Sequence, residues 1–370
     1  MERCDALVIG GGPAGSTCAG ALVREGMDVL VLDRKTFPRD KVCAGWITPA
    51  VIETLRIDPA DYAARRVLQP ITGFRTGMID GIEVETRYQG NVSYGIRRCE
   101  FDHFLLERSR ARLRLGEPVR SIERKGRYWI VNSSVETPLL IGAGGHFCPV
   151  ARMLGGPADV PESVVAAKEV EFAMDAAQQR ACSVKPEMPE LFFCQDLAGY
   201  GWCFRKGDHL NIGLGREDKH GLSQHLEAFC AFLRRRGKIP ADVPDAFHGH
   251  AYLLHGRSRR KLADDGVLLI GDAAGLAYPE SGEGIRPAVE SALLAAATIV
   301  EAEQDYRLQR LSRYEQRLQT RLGRTRRANR LPAGLQRYVG GLLLSSAWFT
   351  KHVVLDRWFL HAQQGALRAS

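Results

Sequence analysis

The chain has 370 residues, enough for about two packed domains, and 45% hydrophobic and 25% charged residues with 38 Gly and 17 Pro mark a globular protein rather than a disordered or fibrous one. Lys and Arg number 51 against 43 Asp and Glu, a net charge of +8. No apolar run reaches the roughly 18 to 20 residues of a membrane span, and the amino terminus enters a strand-like run instead of a basic, apolar leader, so the expected address is the cytoplasm.

The first forty residues read strand, tight turn, helix, strand. Ala6 to Ile9 is apolar, Gly10 to Gly15 breaks it, Ser16 to Glu25 suits a helix, and Val29 to Leu32 is apolar again and ends at Asp33. Short alternating pieces between Ile71 and Arg97 predict antiparallel strands, and a helix is expected from Glu100 to Leu113. Tyr128 to Val131 leads to Leu139 to Ile141 and a second glycine turn, Gly142-Ala143-Gly144-Gly145. Val164 to Gly215 alternates like a sheet, and a helix follows from Leu222 to Arg236. Val267 to Ile270 ends at Gly271-Asp272, before a long helix expected to begin near Glu283. Nucleotide-type strands near 6, 29, 139 and 267 with sheet-like segments between them predict an interleaved architecture. Residues 1–70, 96–160 and 262–305 form a discontinuous nucleotide-binding domain, 71–95 and 161–261 a second β-sheet domain, and 306–370 a helical end.

Between Tyr306 and Arg337 stand ten arginines and one acid, Glu315, with Leu308, Leu311, Leu318 and Leu322 on one helical face. This is a solvated helix face or a surface for an anionic partner; without interleaved aromatics it does not read as a nucleic-acid module. Beyond it, Val339 to Phe349, Trp358 and Phe359 cap a core or, if exposed, present an amphipathic surface to a membrane or lipid carrier. Nine cysteines without a Cys-x-x-Cys pair predict reduced thiols and no metal site.

Gly10-x-Gly12-x-x-Gly15 opens a helix after a strand, with Asp33 eighteen residues past Gly15. Gly10 permits the turn, Gly12 lets a pyrophosphate approach, Gly15 lets helix and strand pack closely, and the helix start, with Pro13 and Ala14, supplies N–H groups. Asp33, flanked by Arg34, has no other evident partner and is expected to accept a ribose hydroxyl. The spacing indicates an adenine dinucleotide; a purely structural glycine turn is the alternative.

Gly271-Asp272 followed by Gly282-Glu283-Gly284-Ile285 resembles the FAD enzymes of the aromatic hydroxylase superfamily. Within it the chain is similar to the geranylgeranyl reductase family, through Lys41-Val42-Cys43-Ala44-Gly45, Arg98-x-x-Phe101-Asp102-x-x-Leu105, Pro279-x-x-Gly282-Glu283-Gly284-Ile285 and Tyr200-Gly201-Trp202-Cys203-Phe204-Arg205-Lys206. The resemblance implies an α/β fold with a Rossmann-like FAD domain interleaved with a mixed-sheet substrate domain. Asp272 would meet the ribityl chain, Gly282, Gly284 and Ile285 the flavin ring, and Lys41 and Arg98 the phosphates. Cys43 and Ala44 would lie beside the flavin, and Tyr200, Trp202 and Phe204 would wall a pocket for a hydrophobic substrate, with sheet core as the alternative. The implied activity is reduction or desaturation of a carbon–carbon bond through flavin N5. A flavin monooxygenase or halogenase, and an electron-transfer flavoprotein to quinone, are the other readings.

Two departures from the family are expected to matter. The second fingerprint lacks its Asp at Gly144, which turns the choice of reductant from NAD(P)H toward a separate electron-donor protein. Arg205 replaces a proline and puts a charge beside the pocket. His146 is given no role.

Overall fold

The computed structural model describes residues 1–155, 164–218, 220–323 and 333–367, the side chains of 333–338 excepted. The expected βαβ opening is present. Strand Ala6–Ile9, helix Pro13–Arg24 and strand Val29–Asp33 follow one another, the strands parallel with Leu7 opposite Leu30. Both strands are buried at every position, which is why they read as unbroken apolar runs: both faces of the parallel sheet are covered, and Trp129, Val131 and Val135 of a separate four-stranded sheet share its core. The sheet runs Ala263–Asp264, Val267–Leu269, Leu140–Gly142, Ala6–Ile9, Val29–Asp33, Arg112–Leu115, parallel except at the first, edge strand. Pro13–Arg24 packs between helices Arg98–Ser109 and Ile285–Glu301.

A seven-stranded sheet forms the second domain, in the order His248–Leu253, Val164–Ala173, His209–Arg216, Gly199–Lys206, Glu190–Phe193, Gly73–Met78, Glu83–Arg87. Its pairs are antiparallel apart from Glu190–Phe193 with Gly73–Met78. Strand alternation divides its side chains between two cores. One face packs Phe192, Cys203 and Ile212 under helix Leu222–Arg235; the other gathers Phe74, Leu191, Trp202 and Phe204 with Trp46 and Phe359.

Three expectations are corrected. Helix Arg98–Ser109 ends before Leu113, because Arg110 takes a left-handed conformation (φ 55°) and Arg112–Leu115 turns into the edge strand of the nucleotide sheet. Arg205 does not stand beside the aromatic face. It alternates with Phe204 and reaches the carbonyl oxygens of Gly207 and Gln179 on the other side of the sheet. The expected domain breaks after residues 70 and 95 cut through one small sheet, in which Leu68–Ile71 and Trp46–Ile47 both pair with Ser93–Ile96.

In the arginine-rich stretch the apolar stripe is buried in part: Leu311 and Leu318, with Tyr314, join the nucleotide-domain core and Leu322 packs against it, while Leu308 is exposed. Arg317 pairs with Glu301 and Arg321 with Glu290. Arg324, Arg326, Arg327 and Arg330 lie outside the described residues, as does the side chain of Arg337. Val354, Leu355 and Phe359 pack on the second sheet, whereas Leu342 and Trp348 are 60% and 67% exposed. Among the described residues no helix is long and apolar enough to cross a membrane.

Candidate functional site

Three turns meet at the carboxyl ends of the parallel strands, where a doubly wound sheet binds its ligands. Gly10 has φ +114°, and a Cβ there would lie 2.5 Å from the Ala143 carbonyl oxygen, so the first turn abuts the Gly142–Gly145 turn. A Cβ on Gly15 would overlap the Gly10 carbonyl oxygen. Gly271 sits against Ala14, its N–H donating to Ser291 Oγ at 3.0 Å. Gly12 is different: the nearest atom to a Cβ would be Arg39 Nη2 at 3.5 Å, which leaves open space at the start of Pro13–Arg24. That helix start carries no side-chain cap, so its N–H groups are available to an anion. These features fit the pyrophosphate of a dinucleotide.

The carboxylate of Asp33 is not without partners, contrary to expectation. Its Oδ2 accepts from the Gly11 N–H at 2.7 Å and its Oδ1 from the Lys35 N–H at 2.8 Å, while Arg34 beside it is exposed. Arg98 is not free to meet a phosphate. Its Nε and Nη2 donate to Asp102 at 2.9 Å each, and the Cys43 thiol lies near enough to interact with the guanidinium charge. Asp102 holds Arg39 as well, at 3.1 Å, and Arg39 is thus the cation placed beside Gly12.

Lys41 and Asp272 come together around a residue the sequence reading missed. Lys41 Nζ lies 2.6 Å from His250 Nε2, and Asp272 Oδ2 lies 3.7 Å from the same nitrogen. Burial pushes Lys41 down to about 8 and lowers His250. Burial opposes ionisation of Asp272, but the neighbouring His250 imidazole and the Lys41 charge outweigh it and hold its carboxyl below the usual range. His250 and Tyr252 share one face of their strand, and a Cβ on Gly282 (φ +69°) would overlap the Tyr252 hydroxyl. A Cβ on Gly284 would lie 3.1 Å from Asp272 Oδ1, and helix Ile285–Glu301 starts there.

Glu283, between those glycines, accepts from the Arg286 N–H through Oε1 at 2.7 Å; its Oε2 is buried without a partner. Burial pushes its carboxyl up to about 7. The folded protein therefore favours its neutral form, and this contribution to stability, full below about 4.5, is lost as pH rises to about 7. Glu283→Gln keeps the acceptor and removes the charge. In FAD-free protein it should raise Tm at pH 8 and leave it unchanged at pH 4, read by thermal melts at the two pH values; an equal shift at both would contradict the assignment.

Aromatic side chains line the neighbouring face. Trp46, one residue past the Lys41–Gly45 segment, stacks on Phe204 (centroids 5.8 Å) and Phe359 (5.4 Å). Tyr200 meets Phe359 at 5.3 Å and Trp202 at 6.1 Å. Tyr200 donates its hydroxyl to the Ser281 carbonyl, and Trp202 Nε1 donates to Asn211 Oδ1 at 2.7 Å. The polar edges of Tyr200 and Trp202 are thereby satisfied, whereas Trp46 Nε1 is buried without a partner, and the faces of the wall are apolar. Cys43 and Ala44 join the segment to the wall, Cys43 through its carbonyl oxygen, which accepts from Asn211 Nδ2 at 3.2 Å.

The chain matches the model of a family described as FAD binding domain over residues 3–68 and 117–327. A menaquinone reductase of Mycobacterium tuberculosis is 31% identical over 317 residues, covering 80% of this chain and 76% of the relative. A digeranylgeranylglycerophospholipid reductase of Methanothrix thermoacetophila is 28% identical over 355 residues, 87% of this chain and 84% of the relative. A geranylgeranyl bacteriochlorophyll reductase-like protein of Thermoplasma acidophilum shares the fold, with TM-score 0.75 at 21% identity, covering 100% and 94% of the two chains. The halogenase PltM in complex with phloroglucinol and FAD shares it too, at TM-score 0.68 and 16% identity, covering 84% and 72%.

Proposed function

Since the chain belongs to the FAD-dependent oxidoreductases of the geranylgeranyl reductase family, we propose that it reduces a carbon–carbon double bond in the prenyl-type chain of a hydrophobic substrate. The observation that carries this is the continuity of the dinucleotide turns, through Lys41–Gly45 and Trp46, with the apolar wall of Tyr200, Trp202, Phe204 and Phe359.

FAD, when bound, supplies the hydride at N5. The first turn (Gly10, Gly12, Pro13, Ala14, Gly15) and its helix start would hold the pyrophosphate, with Arg39 and Lys41 as countercharges and Asp33 fixing the turn. Gly271, Asp272, Gly282, Gly284 and Ile285 would hold the ribityl and flavin end, with the start of the Ile285–Glu301 helix favouring negative charge there. The aromatic wall holds an apolar chain and excludes water. Tyr200 has its hydroxyl engaged by Ser281, and burial raises it well above the ordinary range. Among the expected pocket residues this leaves Cys43 Sγ, beside Arg98, as the atom that holds the proton.

The names of the relatives, a menaquinone reductase and a digeranylgeranylglycerophospholipid reductase, support the substrate class. The Gly142–Gly145 turn carries no acid, which supports a separate electron donor over NAD(P)H. Exposed Leu342, Leu343 and Trp348 support contact with a lipid surface. The halogenase reading is weakened by Gly199-Tyr200-Gly201-Trp202-Cys203-Phe204-Arg205, which does not match the halogenases' Trp-x-Trp-x-Ile-Pro.

The test is incubation of dithionite-reduced, FAD-loaded protein with a menaquinone or a digeranylgeranyl lipid, without oxygen, followed by mass spectrometry of the lipid. A gain of two hydrogens located in the prenyl chain by fragment ions, and not in a quinone ring, is expected. An unchanged lipid, together with an oxygenated or halogenated product when oxygen is admitted, would overturn the reading.

A further inference from the structure

Under the Cys43 segment lies a polar cluster that none of the roles above uses. Glu169, Asn211 and Lys206 are 6%, 1% and 1% exposed, on three adjacent strands of the second sheet. Burying such groups is costly unless each is partnered, and each of these is. Lys206 Nζ donates to Glu171 Oε1 at 2.6 Å and to the Ile96 carbonyl at 3.0 Å. Asn211 accepts from Trp202 and, through Nδ2, donates to Glu169 Oε2 (3.2 Å), Glu171 Oε1 (3.3 Å) and the Cys43 carbonyl (3.2 Å). The Cys43 carbonyl is thus held by a side chain of a sheet more than 120 residues away in sequence.

We propose that Asn211 is a positioning residue that clamps the backbone of Cys43 by its carbonyl, and that Glu169 is a second one, which orients the Asn211 amide through a hydrogen bond that depends on the Glu169 charge. The proposal rests on the reading of Cys43 as a pocket residue and adds what places it. Burial pushes the Glu169 carboxyl up to about 7, opposed by the Lys206 charge and by the Asn211 hydrogen bond. Glu171 faces it from its own strand, Asn211 from the adjacent strand and Lys206 from the next, and His248 occupies the register position opposite it on the edge strand. Because the Asn211 amide bonds more strongly to a carboxylate than to a carboxylic acid, releasing it disfavours the charged form. The clamp is therefore firmer above pH 7 than below.

The experiment is alkylation of the FAD-loaded full chain, and of the same protein stripped of FAD, with iodoacetamide between pH 6 and pH 8. Mass spectrometry of the Cys43 peptide reads the rate for wild type, Glu169→Gln and Asn211→Ala, with circular dichroism confirming the fold. Glu169→Gln is isosteric and permanently neutral. Its Cys43 rate should match wild type at pH 6 and exceed it roughly fivefold to tenfold at pH 8, the worth of one hydrogen bond strengthened by charge. Asn211→Ala should raise the rate by a similar factor at both pH values. A Glu169→Gln to wild-type ratio that does not change with pH, or a wild-type rate in Asn211→Ala, would overturn the clamp. So would an equal rise at the buried Cys182 and Cys230, which reports general loosening. Because the assay reads no turnover, loss of the clamp and failure of the prenyl-reduction reading are separate results.

Discussion

Gly15→Ala should abolish FAD binding and destabilise the fold, whereas Gly12→Ala should leave the fold intact and weaken FAD alone. The difference lies in what a methyl group meets. At Gly15 it would overlap the Gly10 carbonyl oxygen and press on Val8, both buried, so helix Pro13–Arg24 would have to lift from its strand. Overpacking of this kind costs about 1–3 kcal/mol, and more where backbone must move. At Gly12 the methyl would point into the space next to Arg39, which the fold leaves empty and a pyrophosphate would fill. Urea unfolding should therefore show Gly15→Ala losing several kcal/mol, above the roughly 1–3 kcal/mol of ordinary overpacking, and Gly12→Ala losing none. Flavin fluorescence titration should show Gly12→Ala binding FAD at least about tenfold more weakly, about 1.4 kcal/mol. Equal FAD affinity in Gly12→Ala and wild type would place the dinucleotide elsewhere.

The second large effect is expected at Arg286, a fully buried cation two residues into the helix that starts at Gly284. Its Nε donates to the equally buried Glu290 at 2.9 Å, and its Nη2 reaches the carbonyl oxygens of Gln364 and Gly365. Arg321 binds the other side of Glu290, at 2.9 and 2.6 Å, and also reaches Gly365. One ionic knot thus ties the flavin-site helix to the carboxyl-terminal strap that brings Phe359 onto Trp46 and Tyr200. Removing one partner of a buried pair leaves charge and carbonyl groups uncompensated, and Arg286→Ala should cost about 3–5 kcal/mol. Limited proteolysis should then cut near residues 360–367 much faster than in wild type. The Arg286→Ala/Glu290→Ala pair should cost less than the sum of its singles. Unchanged stability and proteolysis in Arg286→Ala would mean that the knot does not hold the strap.

The sequence made the nucleotide half of the fold legible because its evidence is local: a strand, three glycines and a helix within forty residues, each glycine tied to a backbone contact. The aromatic face was legible for the same reason, since Tyr200, Trp202 and Phe204 alternate on one strand. Partnerships set by packing between distant segments were not. Nothing near Asp33 in sequence signals that the Gly11 and Lys35 N–H groups fill its lone pairs. Arg98 and Asp102 face each other one turn apart on a helix, but no local signal says that Arg39 shares the acid. His250 meets Lys41 only because an edge strand of the second sheet reaches the nucleotide turns. Glu169 and Glu171, acids at alternate positions of a strand whose only other polar residue is Lys168, were the one available signal of a buried polar cluster. Helix Arg98–Ser109 ended early for a similar reason: Arg110 adopts a left-handed conformation without a glycine to announce it.

The central claim is that the wall of the second sheet and the dinucleotide turns form one site in which a prenyl-type chain takes hydride. Anaerobic stopped-flow absorbance tests it most directly: reduced, FAD-loaded protein is mixed with the lipid, and the return of the oxidised flavin band is followed. Reoxidation by the lipid in the absence of oxygen, at a rate that saturates with lipid concentration, is the predicted result. A flavin that stays reduced until oxygen enters, whatever the lipid concentration, would contradict the account.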